Sequence, residues 1–255
     1  MLDWGIAATL AAMGTVPAAV PAPNWCNFYF GEEVLPKSVL NIGLLFTPNF
    51  EALQELAPDL IIIPPALMTI KGELQKTGPV AEVDIFHPGR GALELAVTGT
   101  RRLGEMVGIR DQADQLVLAT EQRMDATRRK LGKFNGRPAV IASPIDSRHV
   151  SLFGSGSLYG DVLVALGQAN AVDFGDTREF DIVGVETLQH YKDCNVFLMD
   201  TPAAPGTAEK LSTSRLWKSL DFVKQGRLHR IPPILGSGGL PAAIRFARSL
   251  DGAIT

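Results

Sequence analysis

"DQADQLVLATEQRMDATRRKLGKF", residues 111–134, decides the fold. It opens on the acidic Asp111, spaces Leu116, Met124 and Leu131 among charged and amide side chains, and meets no glycine before Gly132. That pattern predicts one long helix with a start signal at its head. Residues 91–110 are helical as well, with Gly104 and Gly108 near the junction of two helices. On either side of this region the pattern changes to short apolar runs alternating with amphipathic segments. A helix of this length between two such halves reads as a spine joining them.

The first half begins with a helix around residues 3–14, then a strand-like "TVPAAV" and a loop carrying Trp25 and Tyr29. "PNFEALQELAPD" predicts a helix with Phe50, Leu53 and Leu56 on its apolar side. It runs into "LIIIPP", a β-branched run without alternation, as expected of a parallel strand buried on both faces. "VAEVDIFH" reads as a further strand. Beyond Asn135-Gly136, "RPAVIASPIDSRHVSLFG" suggests two strands around the turn "PIDSR". There follow a helix after Ser157, the run "AVDF", the helix "VETLQHYKD", the strand "CNVFLMD", the helix "TSRLWKSL", the strand "RLHRIPP" and a terminal helix from Leu240. The fold class is therefore α/β, as two α/β lobes joined by a single long α-helix. The expected boundaries are residues 1–108 for the N-terminal lobe, 109–134 for the connecting helix and 135–255 for the C-terminal lobe.

Composition narrows the function classes. The chain has 255 residues, a formal net charge of −3 and scattered lysine and arginine, so it lacks the basic stripe of a nucleic-acid binder. Cys26 and Cys194 form no CxxC pair, and the four histidines show no HxxxH or HExxH spacing, so neither a metal site nor a disulfide framework is expected. The apolar runs are short and broken by proline, which predicts no membrane span. "MLDWGIAATLAAMG" contains Asp3 and has no basic n-region, so it reads as a helix and the chain as one trimmed of any leader. No GxSxG, P-loop or HExxH is present.

"HVSLFGSGSLYGDVLVALG", residues 149–167, invites a dinucleotide reading. Gly154, Gly156 and Gly160 follow a strand and precede a helix, and Asp173 stands where a ribose acceptor is kept. The spacing is GxGxxxG rather than GxGxxG, and the element lies deep in the chain behind a hairpin. An NAD(P)-dependent enzyme using the Gly154–Gly160 turn stands as the alternative from a different class.

Four segments carry a resemblance: "DWGIAATLAAMGTVPAAV", "LPKSVLNIGLLFTPNFEALQELAPDLIII", "IDSRHVSLFGSGSLYGDVLVALGQANA" and "SRLWKSLDFVKQGRLHRIPP…AIRFARSLDGAI". In order and spacing they resemble the periplasmic iron-siderophore-binding proteins, in particular the ferric-hydroxamate binders, from Leu2 to Ile254. The resemblance implies the helical-backbone (class III) architecture and a ligand cleft between lobes. It also implies a periplasmic, non-enzymatic and monomeric solute-binding protein that delivers a ferric siderophore to an ABC importer. Iron would be bound only through the siderophore, with no cofactor and no metal ligand from the protein. A corrinoid or haem on the same scaffold is the alternative ligand. Glu51 in "PNFEAL" and Glu186 in "VGVETL" match the glutamates by which the family docks onto the permease in the inner membrane.

The ligand contacts depart from those of the hydroxamate binders. Leu45 and Leu67 stand where the relatives have an arginine and a tyrosine, and Leu235 and Ser237 replace a late tryptophan and tyrosine. Leucine offers no hydrogen-bond donor to an iron-bound oxygen. By the same resemblance the ligand-binding residues are Trp4, Trp25, Tyr29, Ser155, Ser157, Tyr159, Arg178, Phe180 and Ser237. Gly154 to Ser157 would present backbone and hydroxyl donors, and Arg178 would pair with a carboxylate, which favours a citrate-type or mixed carboxylate siderophore.

Overall fold

Arg110–Leu131 folds as one helix of 22 residues, with Asp111 in the first turn and Arg128, Arg129 and Lys130 in the last. Charges of these signs at these ends favour the helix through its dipole. The computed structural model of the chain describes residues 1–31, 34–89, 91–131, 136–175, 178–200 and 206–253. Two compact units divide it: Met1–His87 with Leu93–Thr120 and Ser237–Ala242, and Pro88–Ala92 with Glu121–Gly236 and Ala243–Thr255. The chain passes from the first to the second inside the 22-residue helix, between Thr120 and Glu121. The expected α/β class and the single long connecting helix are both present.

The first unit runs through α1 (Trp4–Ala12), β1 (Ala19–Val20), α2 (Pro23–Phe30), β2 (Leu40–Asn41), β3 (Gly43–Leu44), β4 (Thr47–Pro48), α3 (Phe50–Leu56) and β5 (Ile61–Ile63). A 3₁₀ turn (Pro65–Ile70), α4 (Lys71–Leu74), β6 (Val80–Glu82), α5 (Ala92–Met106) and the part of α6 (Arg110–Leu131) up to Thr120 complete the series. β1 pairs with β2 and β5 with β6, both in parallel, while β3 and β4 form a small antiparallel hairpin. All three isoleucines of β5 are buried, which is why "LIIIPP" shows no alternation. Around Ile61 and Ile63 pack Leu2, Ala19, Ile42, Leu53, Leu67 and Leu74.

One expectation fails here. Trp25 and Tyr29 stand on a helix, α2, and not in a loop. "PNWCNFYF" is poor in helix-forming residues, so its sequence gives little local signal. Its boundaries supply what its propensity lacks: Pro23 starts the first turn, and Gly31 closes the helix in the left-handed conformation at φ 69°. Cys26 and Phe30, four apart, form the buried side.

The second unit contains β7 (Ala139–Pro144), β8 (His149–Phe153), α7 (Leu158–Ala165), β9 (Phe180–Gly184), a 3₁₀ turn (Val185–Tyr191), β10 (Asn195–Met199), α8 (Thr207–Thr213), α9 (Arg215–Ser219), α10 (Asp221–Lys224), β11 (Leu228–Ile231) and α11 (Gly239–Ala253). Its sheet has the order β11-β10-β7-β8-β9. The first three strands are mutually parallel, and β8 is antiparallel to both β7 and β9. The β7–β8 turn forms as expected, held by the Asp146 carboxylate, which accepts from the Arg148 and His149 N–H groups. Three local readings need correction. "VETLQHYKD" winds as a 3₁₀ turn and not an α-helix, and "AVDF" forms no strand. β9 is a strand at the sheet edge that the pattern did not reveal, because Phe180 and Ile182 face outward and carry no buried alternation.

β7 and β10 are buried along their whole length. Val140, Ala142, Val196 and Leu198 alternate onto one face and pack in one cluster with Trp217 and Phe222. Trp217 is only 2 % exposed. Trp217→Ala is expected to destabilise the protein by about 3–5 kcal/mol, read from urea unfolding followed by circular dichroism.

Candidate functional site

In the first unit the site residues gather around the start of α1 and the outer side of α2. The Asp3 carboxylate caps α1 by accepting from the Ile6 N–H at 2.8 Å, and burial pushes its pKa up to about 6. Trp4 follows it, half-buried, its indole N–H donating to the Pro21 carbonyl at 2.7 Å. The Trp4 ring lies 5.9 Å from Tyr29, Tyr29 meets Phe28 edge-on at 5.9 Å, and Phe28 meets Trp25 at 6.1 Å. Trp25 is 44 % and Phe28 46 % exposed. Four aromatic rings thus form one chain of contacts with two rings open to solvent. Behind them the Cys26 thiol is bonded to the Trp4 carbonyl and pushed up to about 12 by burial.

The β3–β4 hairpin is tied to the foot of α2, because the Ala22 N–H donates to the Gly43 carbonyl and to Asn41 Oδ1. Leu45 stands half-buried at its tip between the exposed Leu44 and Phe46. Leu67 is buried in the core, so its side chain offers no surface to a ligand. Ser237 is half-buried, in the 237–242 segment that belongs to the first unit. Glu51 is exposed in the first turn of α3.

In the second unit the expected site residues begin on the turn between β8 and α7. Its hydroxyls are largely committed to the fold. Ser157 caps α7, accepting from the Gly160 N–H at 3.0 Å and donating to the Gly154 carbonyl at 2.7 Å, and is wholly buried. The Tyr159 hydroxyl donates to the Ile234 carbonyl at 2.6 Å, with its ring between Phe153 and Phe246. Ser155, half-buried, donates to Asp173. The glycines are explained in the same way. A Cβ on Gly156 would lie 2.6 Å from the Arg178 carbonyl, and one on Gly160 2.5 Å from the Gly154 carbonyl. These glycines allow backbone to meet backbone, so no nucleotide is needed to account for them.

The dinucleotide alternative fails on topology as well. A Rossmann unit needs its glycine turn to leave a strand that enters a parallel crossover. β8 is antiparallel to both neighbours, and the Asp173 carboxylate already accepts from Ser155 and the Gly175 N–H.

The 178–180 segment faces this turn. The Gly154 N–H donates to the Glu179 carbonyl at 2.9 Å. Arg178 is exposed, its guanidinium 5.1 Å above the Phe174 ring and 3.0 Å from the Asp181 carboxylate. Phe180 is 45 % exposed and leans on Phe153 at 5.9 Å. Glu179, between them, was not singled out by the sequence. Its carboxylate is half-buried beside Gly236, where a Cβ would come within 2.6 Å of Oε1. Burial raises its pKa to about 7. Phe28 was missed too, although Trp25, Phe28 and Tyr29 have the i, i+3, i+4 spacing of a helix face. Glu186 is exposed in the first turn of the 185–191 segment, its carboxylate folded over Gly184. Among the described residues, no group of three or more histidine, cysteine or acidic side chains could hold a metal ion.

A family model described as "Periplasmic binding protein" matches residues 1–235. The chain belongs to that family. This binding protein is 28 % identical to the iron(3+)-hydroxamate-binding protein FhuD of Escherichia coli (strain K12), over 99 % of this chain and 85 % of that one. Its fold matches the Fe3+–Desferal-bound siderophore-binding protein FhuD of Vibrio cholerae with a TM-score of 0.92 at 22 % identity, covering 99 % and 96 % of the two chains. It also matches Staphylococcus aureus SirA complexed with staphyloferrin B with a TM-score of 0.72 at 17 % identity, over 98 % and 89 %.

The Glu179 carboxyl gives this binding protein a definite pH signature. Its folded pKa lies above the ordinary 4.5, so the folded state binds the proton more tightly than the unfolded chain. The stability contributed by the neutral carboxyl is full below about pH 4.5 and is lost as pH rises through about 7. The urea midpoint is expected to fall more steeply between these values in the native protein than in Glu179→Gln.

Proposed function

We propose that this chain is the extracytoplasmic receptor of an ABC importer, and that its cargo is a ferric siderophore. The observation that carries the reading is the family match together with a relative aligned along 99 % of the chain whose name gives ferric hydroxamate as its ligand. The site chemistry agrees. Exposed aromatic rings suit the organic body of a chelate, and the chelator supplies all the iron ligands. The receptor acts as a monomer in the periplasm and performs no catalysis.

The candidate contacts fall into two sets. In the first unit they are Trp25, Phe28 and Tyr29, with Trp4 packed behind and Ser237 on its own segment. In the second unit they are Ser155, Phe180 and Arg178, whose guanidinium has donors beyond the one given to Asp181. Ser157 and Tyr159 act as positioning residues, since their hydroxyls are spent on Gly154, Gly160 and Ile234. With Leu45 and Leu67 in place of donors, Arg178 is the group that favours a carboxylate-bearing chelate. Glu51 and Glu186, each exposed at the first turn of its helix, are the permease contacts.

Tryptophan fluorescence titration against ferric hydroxamates, catecholates and carboxylates tests the cargo. Saturable quenching by at least one ferric chelate, and none by its iron-free form, is the expected result; no response to any of them would overturn the reading. Arg178→Ala is expected to weaken binding of a carboxylate chelate by roughly 10-fold or more, the loss of one charge-assisted hydrogen bond. Charge reversal at both Glu51 and Glu186 should abolish uptake in cells while leaving chelate affinity unchanged. Lost affinity in that double variant would count against the docking role.

A further inference from the structure

In the second unit Glu179 stands between two candidate contacts, the exposed Arg178 and Phe180, with its backbone held and its side chain unengaged. Its carbonyl accepts from the Gly154 N–H at 2.9 Å, which ties the segment to the turn before α7. The carboxylate is half-buried, and among the described residues it has no hydrogen-bond donor and no cation. Desolvation alone therefore acts on its pKa, raising it to about 7. The neighbouring cation is engaged elsewhere: Arg178 donates to Asp181 at 3.0 Å and lies over the Phe174 ring at 5.1 Å. A half-buried carboxylate without a donor carries a desolvation cost that nothing in this corner offsets.

Gly236 shows what the carboxylate faces. Its φ is outside the left-handed region, so the backbone does not require glycine there. The space does. A Cβ at 236 would lie 2.6 Å from Glu179 Oε1, 3.5 Å from the Tyr159 hydroxyl and 3.7 Å from the Tyr159 ring. The bare Cα leaves a notch with the carboxylate on one side and an aromatic ring on the other. Phe153 continues the aromatic wall at 4.8 Å from Tyr159, and Phe180 extends it to the surface at 5.9 Å from Phe153. Such surroundings suit a cation. The carboxylate supplies the opposite charge and acceptor oxygens, and aromatic faces attract a cation where aliphatic walls do not. A neutral donor would leave the charge of the carboxylate uncompensated.

We propose that Glu179 is a specificity-determining residue, and that the corner between Gly236 and Phe180 receives an ammonium group carried by the chelate. Resting on the ferric-siderophore reading above, the assignment adds a ligand class to it: a ferric chelate with a free amine beside its iron-binding arms. Arg178 and Glu179 then offer opposite charges on adjacent residues, which suits a chelate bearing both an amine and a carboxylate.

Tryptophan fluorescence titration compares ferrioxamine B, a linear ferric trihydroxamate ending in a primary amine, with its N-acetylated form. The two share one iron centre and differ in charge at that end. The native protein is expected to bind the amine form at least about tenfold more tightly, as one charge-assisted hydrogen bond allows. In Glu179→Gln, which keeps the shape and removes the charge, the ratio of the two affinities should fall to about one. A merely structural Glu179 would move both affinities together and leave their ratio unchanged. Equal affinities in the native protein, or a preference that survives in Glu179→Gln, would overturn the inference and leave the siderophore reading standing. Saturation by another ferric chelate, with neither form of ferrioxamine B binding, would do the same. Failure of every ferric chelate to bind would overturn the reading itself, and the ammonium site with it.

Discussion

The second unit depends on the parallel pairing of β7 with β10. Both strands are buried from end to end, so each backbone group must find its partner inside the sheet. β11 covers the outer edge of β10 and β8 the outer edge of β7. Because β8 returns antiparallel, its C-terminal end projects the Phe153–Ser157 turn beside the start of β9. The position of Arg178, Glu179 and Phe180 follows from that reversal, and so does the failure of a nucleotide fold at a glycine turn.

Close backbone contact fixes this corner. Gly156 sits against the Arg178 carbonyl and Gly160 against Gly154, at separations no larger residue fits without movement. Ser157 then closes the turn with both its donor and its acceptor function. A rigid corner of this kind holds exposed groups on either side at fixed spacing. Arg178 is steadied by Asp181 and Phe174, and Phe180 by Phe153. Restraint of this sort lowers the entropy a side chain loses when it engages a ligand.

The large features were legible because their signals are long. The 22-residue helix announces itself by spacing and end charges, and the buried strands by unbroken β-branched runs. What escaped was short or partly exposed. α2 is eight residues of weak helix formers and is defined by Pro23 and Gly31 at its ends. β9 hides its pairing because its outward residues are apolar. At the site, residue type alone could not separate a hydroxyl that faces solvent from one that caps a helix. Ser155 and Ser157 look alike in sequence, yet only Ser157 is wholly enclosed. Nor does sequence show that a glutamate between Arg178 and Phe180 turns toward Gly236.

The Cys26 thiol has a consequence for iron chemistry. Thiolates are electron donors to ferric ions, and a thiolate beside the proposed ferric cargo would discharge it to Fe(II), which most chelators hold weakly. Held at a pKa of about 12 beneath the aromatic rings, Cys26 exists at neutral pH as thiolate in on the order of one molecule in a hundred thousand. Its sulfur is buried and already bonded to the Trp4 carbonyl. The thiol packed behind the first unit's aromatic rings is thereby kept out of its thiolate form, and the valence of the proposed cargo is left to the chelator.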